Sequence, residues 1–132
     1  MGYDRGMPRY AIVVALLLGS CAVPPPGVQQ AAPDPQLAVR AAGPPQRCVP
    51  ISPLQALRVS DADPHLILYG SGRTLWANPL GPHCSFRYDD VLLTEPFGSS
   101  YCRGDLVRSF DRNTHIPGPA CVLGDFIPYI RG

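Results

Sequence analysis

The sequence contains no lysine, because all 11 of its basic residues are arginine. This absence excludes Schiff-base catalysis and the phosphate-binding lysine of a P-loop, since both depend on a lysine amine. An excess of charge of one sign is also lacking: the formal net charge is +1, and nine basic and nine acidic residues remain when residues 1–20 are set aside. No extended field attracts nucleic acid, so we expect no nucleic-acid partner.

No apolar run in the sequence is long enough to cross a membrane as a helix. The most hydrophobic segment is residues 11–18, whereas a helix that spans a bilayer needs about 20 apolar residues. Arg5 and Arg9 precede this segment and small residues follow it, which is the pattern of a cleavable leader. We therefore predict that residues 1–20 are a signal peptide.

The residues around the end of this leader point to lipidation. Leu18-Gly19-Ser20-Cys21 resembles the lipobox of bacterial lipoproteins, in which an aliphatic residue and two small residues precede the modified cysteine. The resemblance implies cleavage before Cys21, a diacylglyceryl thioether on its sulfur and a fatty amide on the new amino terminus, a combination that anchors stably because each buried CH₂ contributes about 0.8 kcal/mol. Ala22, rather than Asp, implies an outer-membrane lipoprotein that faces the periplasm. The alternative is an ordinary secretory leader that happens to precede a cysteine.

Residues 21–46 combine repeated prolines with alanine, glutamine and glycine, and they include no aromatic residue. Such a composition favours an extended, flexible chain and supplies little that can form a core. We therefore predict a lipidated cysteine and a flexible linker over residues 21–46, in which residues 37–42 form at most a transient helical turn. A single folded domain is predicted over residues 47–132.

The folded part carries short β-branched and aromatic runs between turn-forming residues, which predicts a mainly β domain. Its clearest unit is a hairpin, in which strands at residues 65–69 and 73–77 flank a glycine-rich turn at residues 70–72. Further strands are predicted at residues 54–59, 91–95, 106–110 and 126–130. Because Pro128 interrupts the last of these, it is expected to be an edge or terminal strand. Five to six short antiparallel strands suit a small barrel or sandwich.

An even set of cysteines remains when Cys21 is assigned to the lipid: Cys48, Cys84, Cys102 and Cys121. In an oxidising compartment this set predicts two disulfides, which supplement the small core of so short a domain. Three pairings are possible, and our working hypothesis joins Cys48 to Cys121 and Cys84 to Cys102, with one loop nested in the other. The alternative is a metal site, but the ligand spacings of zinc sites are absent, so we expect neither a metal nor another cofactor.

Several features follow one another in a fixed order along the folded part: Arg47-Cys48, the hairpin at 70–72, Leu80-Gly81-Pro82 before Cys84, Tyr101-Cys102-Arg103-Gly104-Asp105, and Cys121-Val122. This order resembles an uncharacterised family of small proteobacterial envelope proteins, known only as a domain of unknown function. The resemblance covers nearly the whole folded part and implies an envelope location and a cystine-bearing domain. His83 and Pro128 depart from the family pattern, and the family supplies no catalytic residue to carry over.

The sequence contains no recognisable catalytic constellation. Neither residues 70–72 nor residues 98–100 fit the G-x-S-x-G motif of a serine nucleophile. A cysteine nucleophile beside His83 or His115 requires a free thiol, which two disulfides do not leave. The aspartates lie near predicted turns, where this residue commonly binds its own backbone. We therefore expect that the protein is not an enzyme.

Three aromatic residues are the candidate binding residues: Tyr69, Trp76 and Tyr88. They can form a face that binds a glycan or a peptide, or they can belong to the core of a small domain. We therefore predict a lipid-anchored, periplasm-facing protein that binds or supports another envelope component, with the membrane itself as a partner through Cys21. The alternatives are a small thiol-based, redox-active or hydrolytic enzyme, and a purely structural stabiliser of the membrane neighbourhood.

Overall fold

A computed structural model of the chain describes residues 34–132. The predicted signal peptide, Cys21 and linker residues 22–33 lie outside this range. Within it, the elements in chain order are α1 (Pro35–Ala38), β1 (Ala41–Ala42), β2 (Cys48–Pro50), β3 (Arg58–Val59), β4 (Leu66–Ser71), β5 (Thr74–Pro79), β6 (Val91–Thr94), β7 (Ser100–Cys102), β8 (Leu106–Phe110), β9 (Pro117–Val122) and β10 (Ile127–Ile130). All strand pairs among them are antiparallel.

The strands form three sheets. The largest has the order β1-β10-β5-β4-β3, the second pairs β2 with β7, and the third has the order β6-β8-β9. The predicted mainly β, antiparallel fold with two disulfides is therefore confirmed, and the sheets do not close into a barrel. The number of strands exceeds the prediction because β1, β2, β7 and β9 are short or irregular and lack a clear alternating pattern.

The predicted hairpin is present as β4 and β5, and its turn is displaced from the predicted position. Ser71 pairs with Thr74, so the two turn residues are Gly72 and Arg73. Gly72 has a φ of 73°, which is the left-handed conformation that a tight hairpin turn requires. Gly70 also has a positive φ of 94°, but it lies inside β4 and pairs with β5. The glycine pattern therefore located the hairpin correctly, but it placed the start of the turn two residues too early and its end one residue too early.

The β4–β5 hairpin is buried on both faces. Ile67 and Tyr69 face a main core that joins all three sheets, and Leu68 and Leu75 face a second core on the opposite side. The buried residues of the main core are Val49, Leu57, Val59, Ile67, Tyr69, Leu80, Phe86, Val107, Cys121, Leu123 and Phe126. The two smaller sheets therefore pack on one face of this hairpin, and α1 packs on the other.

Strand β10 is the last strand of the chain but lies inside the largest sheet, between β1 and β5. Pro128, which predicted an edge or terminal strand, accepts a hydrogen bond of 2.7 Å from the Gly43 N–H through its carbonyl oxygen. The amide position and the carbonyl of one strand residue point to the same side. The missing N–H of Pro128 therefore faces the β1 side, and pairing with β5 loses no donor.

The folded domain begins earlier than the boundary predicted at residue 47. Leu37 of α1 is buried in the second core, and Ala41 pairs with Ile130. Gln46 and Phe126 exchange two backbone hydrogen bonds of 2.7 and 2.8 Å. Residues 34–46, assigned from composition to the flexible linker, therefore form part of the domain.

The four cysteines of the domain form the disulfides Cys48–Cys102 and Cys84–Cys121. The predicted number of disulfides is confirmed, and the predicted pairing is wrong. Cys48 lies directly opposite Cys102 in the β2–β7 pair, with Cα atoms 4.1 Å apart. The next residues outward are joined by a bond of 2.7 Å from the Arg103 N–H to the Arg47 carbonyl. The cysteines therefore occupy a non-hydrogen-bonded pair, where facing side chains approach most closely.

The second disulfide ties the loop before β6 to the inner face of the third sheet. Cys121 is buried in the main core, and Cys84 packs against it. The sequence separations of the two bonds are 54 and 37, and the bonded positions alternate along the chain, so the loops cross instead of nesting. In the chain-entropy account, loops of this size each contribute about 4 kcal/mol of stability.

The two disulfides differ in access to solvent, because Cys48 is exposed whereas Cys121 is buried. Attack by a thiolate needs access to a sulfur atom, so we expect mild dithiothreitol to open Cys48–Cys102 first. Alkylation of the folded protein at successive times, followed by peptide mass mapping, should label Cys48 and Cys102 before the other pair. Simultaneous labelling of all four cysteines would contradict this prediction, since it would mean that reduction requires global unfolding.

Gly118 of β9 lies against Ser109 of β8, and a Cβ atom at position 118 would overlap the Ser109 hydroxyl oxygen. This hydroxyl is buried and has no hydrogen-bond partner in the described part of the chain. We expect Gly118→Ala to lower the free energy of unfolding by about 1 to 3 kcal/mol through overpacking.

The matched variant is Ser109→Ala, which removes the unpaired hydroxyl and is expected to leave the free energy of unfolding unchanged. The double variant should regain most of the loss caused by Gly118→Ala, and urea unfolding of all four proteins measures the coupling. Additive effects of the two substitutions would count against the close contact.

Candidate functional site

The structure does not bring the three predicted aromatic residues together on one exposed face. Tyr69 is buried in the main core. Its hydroxyl donates a bond of 2.8 Å to the Pro50 carbonyl and accepts one of 2.8 Å from the Ser52 N–H. Its ring packs edge-on against Tyr101, with the ring centroids 5.3 Å apart. Tyr69 therefore joins β4 to the segment after β2 and offers no surface to a ligand.

Trp76 and Tyr88 lie in different environments. Trp76 pairs with Tyr69 across the hairpin and packs, partly buried, against the same core. Tyr88 lies in the loop before β6 and is 70% exposed. Two of the three aromatic side chains therefore contribute to the core. This is the second of the two roles considered for them, a binding face or part of the core.

One histidine and several aspartates make local structural contacts. The Nδ1 atom of His65 lies 2.8 Å from the Cys84 carbonyl oxygen. Among residues 34–132 no group of three or more His, Cys, Asp or Glu side chains is arranged to hold a metal ion. Asp63, Asp90 and Asp105 each accept a backbone N–H two or three residues away. Such contacts are the turn-forming role predicted for the aspartates.

Asp111 has the same role in the turn between β8 and β9. Its Oδ1 atom accepts the N–H groups of Thr114 and Asn113, each at 2.8 Å. These bonds favour the charged carboxylate and lower the pKa of Asp111 below its ordinary value of 3.8. Asp111 is therefore charged at neutral pH, and its pKa shift is explained by turn structure without a catalytic role.

A cleft lies beside α1, on the face of the largest sheet opposite the main core. Its volume is about 470 Å³, which lies within the range of about 300 to 1,000 Å³ that small-molecule sites occupy. Its apolar lining includes Leu37, Leu66, Ala77, Pro79, Ile127 and Tyr129. Sequence reasoning did not identify this cleft, since part of its wall comes from residues assigned to the linker.

One wall of the cleft depends on the start of α1. Asp34 is the N-cap of this helix, and its Oδ1 atom accepts the Gln36 N–H at 2.7 Å. Pro35 occupies the first helical position, where its missing N–H costs nothing. Leu37 then packs on the second core. Asp followed by Pro is a recognisable helix start, and it is the signal in the sequence from which this wall could have been predicted.

The charged groups at the cleft are engaged within the protein. Asp34 is buried, and its second carboxylate oxygen accepts a hydrogen bond from the Ser60 hydroxyl. The Arg40 guanidinium donates to the carbonyl oxygens of Gln36 and Arg73 at 3.1 and 2.9 Å. The remaining lining is largely apolar, so the cleft is suited to holding an apolar side chain or a small apolar molecule.

The described residues thus define a mainly antiparallel β domain with two crossed disulfides and one apolar cleft. Comparison of the chain with family models, curated proteins and solved structures finds no match to any of them. The family resemblance drawn from the cysteine and glycine pattern therefore stays a prediction. No helix in residues 34–132 is long and apolar enough to cross a membrane.

The docking of α1 can be tested with two substitutions in the same short segment. Leu37 is buried, whereas Val39 is 65% exposed. We expect Leu37→Ala to lower the free energy of unfolding by about 2 kcal/mol, because it removes apolar contacts beneath the helix. Val39→Ala should change it by less than about 0.5 kcal/mol. Equal urea midpoints for the two variants would contradict the docking of α1 on the second core.

Proposed function

We propose that this protein is a lipid-anchored component of the bacterial envelope, whose disulfide-bonded β domain faces the periplasm and acts as a non-enzymatic binding or structural module. The observation that carries the proposal is the distribution of the five cysteines. Four are joined within the domain as two disulfides. The fifth, Cys21, follows Leu18-Gly19-Ser20 at the end of the apolar leader, where the lipobox pattern implies lipidation.

The disulfides support export to an oxidising compartment. Such bonds persist in the periplasm and outside cells, and they are rare where thiol reductants keep cysteines reduced. A small domain also benefits more than a large one, because its core contributes little net stability. The cystines and the leader therefore point to the same compartment from independent features of the chain.

A binding or structural role is favoured by the surfaces that the domain presents. Its cleft is largely apolar, and the charged groups beside it are held by internal hydrogen bonds. The turn aspartates are likewise engaged with backbone N–H groups. Catalysis by general acid and base requires titratable groups free to reach a substrate. The cleft is better suited to an apolar group of an envelope component.

One observation favours a second candidate, a redox function of Cys48–Cys102. Cys48 is exposed, and arginines flank both cysteines as Arg47 and Arg103. Nearby positive charge favours the thiolate that thiol exchange requires. Arg103 is partly committed to an ion pair of 3.2 Å with Asp125, and the cross-strand pairing gives this disulfide a structural role of its own. The binding or structural module therefore remains the first proposal.

The decisive measurement is the intact mass of the protein extracted from membranes, taken before reduction and again after reduction and alkylation. We expect a chain that begins at Cys21 and carries added lipid mass, because the lipobox directs cleavage and acylation there. Four alkyl groups should appear only after reduction. Cys21→Ser is the matched control: it should carry no added lipid mass and should keep both disulfides intact.

Two outcomes would overturn parts of this proposal. An unlipidated chain in the soluble fraction would remove the anchor. A cysteine of the domain that alkylates before reduction would favour the redox candidate, because it would reveal a disulfide that opens in the native protein.

A further inference from the structure

The third sheet has one face on the main core and one face on solvent. Val107 and Ser109 of β8 and Cys121 of β9 are buried, whereas Leu106 and Val122, their neighbours along the chain, are exposed. Side chains alternate between the faces of a strand, so the exposed set shares the outward face. We define the outer sheet face as Leu93, Glu95, Leu106, Arg108, Ala120 and Val122.

The outer sheet face is unusually apolar for a surface that the domain itself leaves uncovered. Leu93 is 53% exposed, Leu106 39% and Val122 54%, and Ala120 is also exposed. The solvent face of an antiparallel sheet normally carries polar residues. Four of the six residues of this face are apolar and exposed, and apolar side chains grouped on one exposed face favour an interaction surface.

Two opposite charges accompany these apolar side chains. Arg108 lies on β8, and Glu95 directly follows β6; both residues are exposed. In the described part of the chain neither residue belongs to an ion pair. The face therefore presents one positive and one negative group, each available to a partner of opposite charge.

The strand register places these charges in a specific pattern. Leu93 pairs with Arg108, and extending the register past Thr94 and Val107 by one residue sets Glu95 opposite Leu106. The four residues form a quadrilateral with sides of about 7 Å along the strands and about 5 Å across them. The two charges occupy one diagonal, and the two leucines occupy the other.

We propose that the outer sheet face is a docking surface for a second copy of this chain. A twofold axis that runs near the Leu93–Leu106 diagonal brings each leucine against its own counterpart. The same axis exchanges the ends of the other diagonal, so that Arg108 of each copy meets the partner's Glu95. The surface is thus self-complementary in charge and in the placement of its leucines, as a twofold interface requires.

Two further features favour a second copy over strand addition or a strongly charged partner. Residues 34–132 carry equal numbers of basic and acidic residues, so two copies do not repel each other at long range. The sheet has two edge strands, β6 and β9, and β9 contains Pro117 and Pro119. Proline cannot donate to a new strand, so strand addition at the β9 edge is disfavoured relative to contact through the face.

The size of the face predicts a weak dimer. A three-stranded sheet of this length presents a face of about 17 by 14 Å, and the resulting interface is below the roughly 1,200 Å² of stable complexes. Attachment of the copies to one membrane would raise their effective concentration. The dimer itself does not depend on that attachment and can be tested in solution.

The first test is cross-linking of the purified full-length chain carrying Leu93→Cys, together with Cys21→Ser so that position 21 cannot react, with a short bismaleimide at about 100 µM protein. Leu93 lies close to the proposed axis, so the two introduced thiols should be joined in a covalent dimer. Leu54→Cys is the matched control, because Leu54 is 92% exposed and lies outside the face. Equal dimer yields from the two variants would overturn the proposal, since they would reflect random collision.

The second test reverses the charges in the Leu93→Cys chain. We expect Arg108→Glu and Glu95→Arg each to reduce the dimer yield at least fivefold, because like charges then face each other. The two substitutions together should restore at least half of the original yield. Arg112→Glu makes the same charge change in the exposed turn after β8 and should leave the yield unaltered.

Unchanged dimer yield with Arg108→Glu, or no recovery in the charge-swapped chain, would overturn the proposal. Lipidation at Cys21 is measured separately by intact mass, so failure of the dimer and failure of the anchor are distinguishable.

Discussion

The burial of both faces of the β4–β5 hairpin is the constraint on which the rest of the domain depends. Ile67 and Tyr69 project from one face, and Leu68 and Leu75 project from the other. A two-stranded unit cannot bury two apolar faces by itself. One face is therefore covered by the two smaller sheets and the loops between them, and the other is covered by α1 through Leu37. The cleft lies where this second cover is incomplete.

The same constraint explains which parts of the fold the sequence predicts. The hairpin, β6, β8 and β10 follow from local runs of apolar residues and from glycine turns. Strands β2 and β7 do not, because each has three residues and is specified by its partner more than by its own pattern. The pairing of Cys48 with Cys102 depends on those two strands, so it could not be predicted from the sequence without them.

Residues 34–46 show a different limit of prediction from amino-acid composition. Their prolines and alanines resemble a linker, yet one leucine, one helix cap and two short backbone pairings place them in the domain. The candidate sites depend equally on distant contacts. Tyr69 is removed from the surface by its bonds to Pro50 and Ser52, and the outer sheet face exists because β6, β8 and β9 meet in one register. Neither relation is visible in a local pattern.

The crossed order of the disulfides has a consequence for how the chain matures. A polypeptide that is oxidised from its amino terminus as it emerges presents Cys48 and then Cys84 before either native partner, Cys102 or Cys121, is available. Joining cysteines in order of appearance would therefore produce a wrong bond, which must be exchanged later. Correct pairing requires either that oxidation waits until β7 has met β2 or that a disulfide-exchanging helper is present. The compartment in which this domain matures must accordingly supply time or catalysis for disulfide exchange, in addition to an oxidant.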